Sequence, residues 1–221
     1  MLNERGAWDR AAAVARDTLN HLAPDSDQRP LLLGELGTLA EYRGDLRQAQ
    51  TLYDAARSAL QALAAAAPQN PDYRRGLSVA YGRLADLASG RGDVEGAEQL
   101  HRQALAIFEA LAAAAPENLQ YQRDLATSWE RTAVLLSETA PHELSDWLDR
   151  ALDTRRRLHN EVPADAELIE ELAVTLRLKA SVAENDVAER SEIKSLLEPL
   201  AAAHSLTQRG GELLNWAQAT S

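Results

Sequence analysis

The sequence has no cysteine in its 221 residues. That excludes disulfides, thiolate metal ligands and a cysteine nucleophile, and it fits a reducing compartment. Strand formers are scarce, with 8 Val, 3 Ile and a single Phe. A β-rich or α/β fold is therefore close to excluded, because sheets draw on β-branched and aromatic side chains. Lysine is nearly missing too, at 2 against 21 Arg, and the net charge is −11. Phosphate binding needs an excess of cations, so nucleic acid is not expected as a ligand. There is no run of 18 apolar residues, and no membrane span is expected. The start, Met1-Leu2-Asn3-Glu4-Arg5, lacks the apolar core of a secretory signal, and the expected location is cytoplasmic.

What is abundant is alanine and leucine, 42 and 36 residues respectively. Both are strong helix formers, so the composition points to an all-α fold. At 45% hydrophobic residues the chain can bury a core. The Ala and Arg bias points to a GC-rich, bacterial source.

The chain also repeats itself. Ala62–Leu87 and Ala110–Leu135 are related by a shift of 48 residues, with 14 of 26 positions identical. Pro24, Pro68, Pro116 and Pro163 mark successive unit ends at similar spacing. Within a unit, a first helix ends at a Gly-Asp turn, Gly44-Asp45 or Gly92-Asp93. Glycine ends that helix because it adopts positive φ cheaply. Aspartate starts the next because its carboxylate accepts from free backbone N–H groups. Proline closes the unit because it cannot continue a helix. These stops predict helices near 6–22, 29–42, 45–66, 72–89, 93–114, 119–138, 143–160, 165–184, 187–206 and 211–219. Pro199 is expected to kink or split the penultimate one.

The residues that recur resemble the tetratricopeptide repeat, in the long-helix form of kinesin light chains and many bacterial regulatory proteins. One unit carries Leu36-Gly37, Ala40, Gly44, Ala49, Tyr53 and Ala56; the next carries Leu84-Ala85, Ala88, Gly92, Ala97, His101 and Ala104. The small residues should lie where helices approach most closely. The resemblance implies an all-α, right-handed superhelical solenoid of antiparallel helix hairpins over 1–221. It divides into a half repeat at 6–24, full repeats at 27–68, 71–116 and 119–163, a degenerate repeat at 165–206 and a capping helix at 209–221. The third full unit departs from the pattern at Thr139-Ala140-Pro141, where Gly-Asp is missing. The opening half repeat, with Trp8, would cap the array or dock on a second copy.

No catalytic set stands out, and no enzyme activity, cofactor or metal is expected. Ser191 and Lys194 spell an S-x-x-K without its companion motifs. The five histidines are scattered, with no metal-ligand spacing. Arg155-Arg156-Arg157 is expected on a solvated helix surface, and Trp216 in the last helix is a core or docking residue.

In the tetratricopeptide family the first helices line a concave groove. By the resemblance the groove would be lined by Glu41, Tyr42, Asp86, Ser89, Glu130, Val134, Ser137, Glu138, Arg177, Ser181 and Glu184. Its acidic residues face one arginine, which disfavours the chaperone-tail carboxylate clamp and favours a basic or neutral protein segment. The expected role is a non-enzymatic scaffold or adaptor that binds a peptide or helix of a partner. Two other readings remain open: a regulatory subunit for a separately encoded effector, and a homo-oligomeric assembly module.

Overall fold

The repeated Gly-Asp turns are built alike. Gly44 and Gly92 take φ of 77° and 80°. The Asp45 N–H donates to the Ala40 carbonyl at 2.9 Å, and the Asp93 N–H donates to Ala88 at 3.0 Å. Each aspartate then caps the next helix. The Asp45 carboxylate accepts from the Gln48 N–H and the Asp93 carboxylate from the Gly96 N–H, both at 3.0 Å. Carbonyls freed by the first helix end and N–H groups freed by the next helix start thus find partners within the turn.

The unit ends share a second rule. Two residues after Pro68, Pro116 and Pro163 stand Asn70, Asn118 and Asp165, each the N-cap of the following helix. The Asp165 carboxylate accepts from both Glu167 and Leu168 N–H groups, at 2.9 and 3.2 Å. Proline halts one helix and the capping side chain starts the next, which keeps the connection short.

A computed structural model describes residues 2–137, 141–183 and 186–219, and side chains from Trp8 onward within them except those of Pro141 and His142. The helices are α1 Leu2–His21, α2 Arg29–Tyr42, α3 Leu46–Ala66, α4 Pro71–Gly90, α5 Val94–Ala114, α6 Leu119–Leu136, α7 Pro141–Glu161, α8 Ala166–Ala180, α9 Val187–Ala202 and α10 Gln208–Gln218. The fold is all-α. No helix among the described residues is long and apolar enough to cross a membrane. Thr139 and Ala140, part of the irregular turn in the sequence, lie outside the described residues.

The chain divides into two compact units, Met1–Leu111 and Ala112–Ser221. In the first, α2 and α3 form a hairpin and α4 packs on α3. Ala40, Ala49, Tyr53, Leu84 and Leu87 make one buried cluster. α1 lies on α2 through Ala12, Ala15 and Leu36. The half repeat thus uses its apolar seam inside the chain, and Asp9 pairs with Arg43 at 2.5 Å beside it. Every repeat-signature side chain of the two units (Leu36, Ala40, Ala49, Tyr53, Ala56; Leu84, Ala85, Ala88, Ala97, His101, Ala104) is buried.

In the second unit α6 and α7 form a hairpin, α8 packs on α7, and α9 and α10 complete a core around Leu172, Leu176, Ile193 and Leu197. The buried Glu170 carboxylate accepts from the Thr207 N–H at 2.8 Å and its hydroxyl at 2.5 Å, which fixes the start of α10. Gly210 makes room for that carboxylate, since a Cβ there would stand 2.5 Å from Glu170 Oε1.

Pro199 does not split its element: α9 runs through it as one helix to Ala202. The reason is position. Pro199 sits in the last turn, where the Ala203 N–H donates to its carbonyl at 3.1 Å. His204 then turns left-handed at φ 53° and ends the helix, short of the expected residue 206.

The turns make a prediction. A Cβ at Gly44 would meet no atom within 4 Å, so only its φ of 77° resists substitution. Gly44→Ala should destabilise by about 1–2 kcal/mol in urea unfolding. Gly34→Ala, inside α2 and equally open, should stabilise by about 0.5–1 kcal/mol.

Candidate functional site

A helix that shows polar and small side chains on one face of a hairpin leaves a trough beside its neighbour. In the first unit that trough lies between α2 and α4 and is floored by α3. It encloses about 610 Å³. The floor is Tyr53, Ala56 and Leu60 of α3. Two glycines set its depth. A Cβ at Gly37 would stand 2.5 Å from the Tyr53 ring, and one at Gly76 would stand 2.9 Å from Leu60. With only hydrogen at these places, α3 rises close to both walls.

The α2 wall presents Leu31, Gly34, Glu35 and Thr38, and the α4 wall presents Tyr73, Arg75, Val79 and Arg83. Leu31 is 65% exposed and Val79 is 41% exposed. These are large apolar side chains held open to solvent on opposite rims. The acidic lining side chains are Asp27, Glu35 and Asp72, against Arg75 and Arg83.

One end of the trough is a polar cluster. The Tyr53 hydroxyl donates to Glu41 Oε2 at 2.5 Å and stands 3.1 Å from the Thr38 hydroxyl. Arg83 Nη1 approaches Glu41 Oε2 to 4.0 Å from the other wall. Burial, reinforced by the hydrogen bond to Glu41, pushes the Tyr53 phenol up to about 12.

The residues expected at the groove scatter over several environments. Glu41 and Tyr42 continue the α2 face one turn beyond Thr38. Glu41 joins the polar cluster, and the exposed Tyr42 ring lies 4.6 Å from that of Trp8. Asp86 is one turn beyond Arg83 on α4 and 3.7 Å from His101 Nε2. Ser89 is exposed near the α4 end. In the second unit Val134 and Ser137 are exposed, and the Ser137 hydroxyl donates to the Val134 carbonyl at 2.8 Å. Ser181 likewise donates to Leu178 at 2.7 Å. Glu138 and Glu184 lie outside the described residues.

Glu130 and Arg177 are engaged inside the second unit. Glu130 is buried and accepts from Arg155 Nε at 3.2 Å and from the Thr175 hydroxyl at 2.5 Å. Arg155 also reaches Glu171 at 2.5 Å and the Thr127 hydroxyl at 2.8 Å. Contrary to the expected solvated surface, Arg155 is 3% exposed. Spacing alone made the arginine run look superficial; three carboxylate and hydroxyl partners on α6 and α8 take one of its members inside. Arg123 braces the same Glu171 at 2.8 Å, and that hydrogen bond holds its guanidinium above the ordinary arginine range. Arg177 lies 4.0 Å over the Trp216 ring, and Arg190 lies at 4.0 Å from it as well. Trp216 is therefore packed between two guanidinium groups.

Mapping by family position does not name Leu31, Glu35, Thr38, Val79 and Arg83, which line the trough. A signal was present: Leu31, Glu35 and Thr38 fall at helical spacing on one face of α2, and Arg75, Val79 and Arg83 do so on α4. Among the described residues no group of three His, Asp or Glu side chains could hold a metal ion.

No family model matches the chain, and no curated protein does. Solved structures do. BtubC (BKLC) from P. vanneervenii aligns at TM-score 0.51 and 19% identity, over 98% of this chain and 89% of that one. A putative kinesin light chain of Podosopora anserina, with nearly identical TPR-like repeats, aligns at TM-score 0.53 and 16% identity, over 92% and 91%. At these identities the likeness is one of fold.

Two outcomes check this geometry. Arg155→Ala should cost about 3–5 kcal/mol in chemical unfolding, because it leaves the buried Glu130 carboxylate without its cation, whereas Glu171 keeps Arg123. The Tyr53 phenol ionises near 10 when unfolded and near 12 when folded. Below pH 10 it is protonated in both states and adds no slope. Between pH 10 and 12 the unfolded state sheds the proton first, so stability should fall as pH rises. Tyr53→Phe should flatten that fall, measured by urea unfolding across the range.

Proposed function

We propose that this chain, which has the fold of tetratricopeptide-like repeat proteins, works as a non-enzymatic interaction module that holds a protein segment in the trough between α2 and α4. One observation carries the reading: Leu31 and Val79 stand exposed on opposite rims of a cavity of about 610 Å³ whose floor is already packed. Large apolar side chains facing solvent across a concave surface are a feature of binding sites. Burying both would contribute a few kcal/mol to a complex. Rigid α3 beneath them supports the site, so little ordering cost falls on the host.

The packing of α1 fits the same reading. Its apolar seam lies against α2. The likeness to a kinesin light-chain-type repeat protein supports an adaptor role of this general kind.

The test is selection of peptides from a displayed random library on the full chain. Binders are expected, and Leu31→Asp combined with Val79→Asp should weaken them at least about tenfold. Ala55→Asp, exposed on the other face of α3, should leave them unchanged. Recovery of no binder, or equal loss with Ala55→Asp, would overturn the proposal.

A further inference from the structure

We infer that the trough recognises a segment carrying one basic and one acidic side chain on either side of an apolar one, and that α2 reads the base while α4 reads the acid. This rests on the reading of the trough as a binding site and names its partner chemistry. The observation is the separation of charge between the walls. On the α2 side stand Glu35, Asp27 just ahead of the helix, and Glu41 one turn past Thr38. On the α4 side stand Arg75 and Arg83, four residues either side of Val79. Asp72, in the first turn of α4, lies at the helix N-terminus, where a carboxylate is favoured by the backbone N–H groups.

The centre between the walls is apolar. Leu31 and Val79 face across it, and Ala56 and Leu60 lie beneath. The stripe from Arg75 to Arg83 spans eight residues of helix, about 12 Å. An extended chain covers that in about four residues. A segment with a leucine-like side chain seated at the centre would have its neighbours within the lined stretch, where Glu35 stands on one wall and Arg83 on the other.

Arg83 is available for this. Its approach to Glu41 is long, at 4.0 Å, and 39% of its side chain is exposed. A pair of that kind contributes little, so a carboxylate on the bound segment can draw the guanidinium over. Glu41 keeps its own donor in the Tyr53 hydroxyl when Arg83 turns away. A uniformly basic segment would meet Glu35 well but place a second cation against Arg83, a like-charge contact that opposes binding. The groove charge thus selects a pattern rather than a sign.

Four labelled peptides, each with a central leucine flanked by Lys/Glu, Glu/Lys, Lys/Lys or Glu/Glu, would be titrated against the full chain by fluorescence anisotropy. The better mixed peptide should bind about tenfold tighter than either like-charged one. Glu35→Arg places a cation on each wall beside the apolar centre and should move the preference to Glu/Glu. Arg83→Glu sets a carboxylate on the α4 wall opposite Glu35 and should move it to Lys/Lys; Arg83→Gln, which retains a polar side chain, should merely abolish the preference. Helical circular dichroism confirms that each variant is folded. Binding by all four peptides without preference, or tightest binding of Lys/Lys to the unaltered chain, overturns the charge reading and leaves the trough as a binding site. Binding by none overturns both.

Discussion

Tyr53 lies against the bare backbone of Gly37, and much of the first unit depends on that contact. A Cβ at Gly37 would sit 2.5 Å from the aromatic ring, well inside van der Waals distance. Without it α2 and α3 close up, Ala40 and Ala49 become fully shielded, and Tyr53 brings its hydroxyl to Glu41 and Thr38. Leu60 does the same against Gly76 of α4. The floor of the trough is therefore made by two places where a helix carries no side chain. Enlarging either would force the helices apart, since dense interiors tolerate added volume poorly.

The second unit solves the same problem with charge. Where the first unit has an aromatic ring against glycine, the second buries Arg155 among Glu130, Glu171, Thr127 and Thr175. Such a network has exacting geometry, because each partner left unpaired costs more than it contributes when paired. It ties α6, α7 and α8 together through specific atoms rather than through shape alone. At the far end Trp216 between Arg177 and Arg190, and Glu170 on the cap of α10, hold the last helix in place. Polar side chains that a surface count would assign to partner binding are here occupied with the fold.

That contrast explains what could be read from the chain and what could not. Helix ends were legible because single residues enforce them: glycine at 44 and 92 for its positive φ, aspartate at 45 and 93 for its carboxylate. The small and aromatic repeat positions were legible because their burial follows from the helical period. Glu130 and Arg155 were not, since a charged side chain on a helix face carries no mark of a partner 25 residues away. Pro199 does not split α9 because it falls in the last turn, close to the helix end. The trough itself was half legible. Its helices were known from the repeat, but its centre lies at Leu31, Glu35 and Val79 rather than at the later turns carrying Glu41, Asp86 and Ser89.

On the proposed reading the α2–α4 trough, not another face of this unit, meets the partner. A photoreactive residue placed at Gly34, in the trough wall, or at Ala55, exposed on the opposite face of α3, tests it in the source cell. The prediction is a discrete crosslinked protein from position 34, lost when Leu31 and Val79 are both aspartate, and none from position 55. Crosslinks of equal yield from both positions, or from position 55 alone, would contradict it.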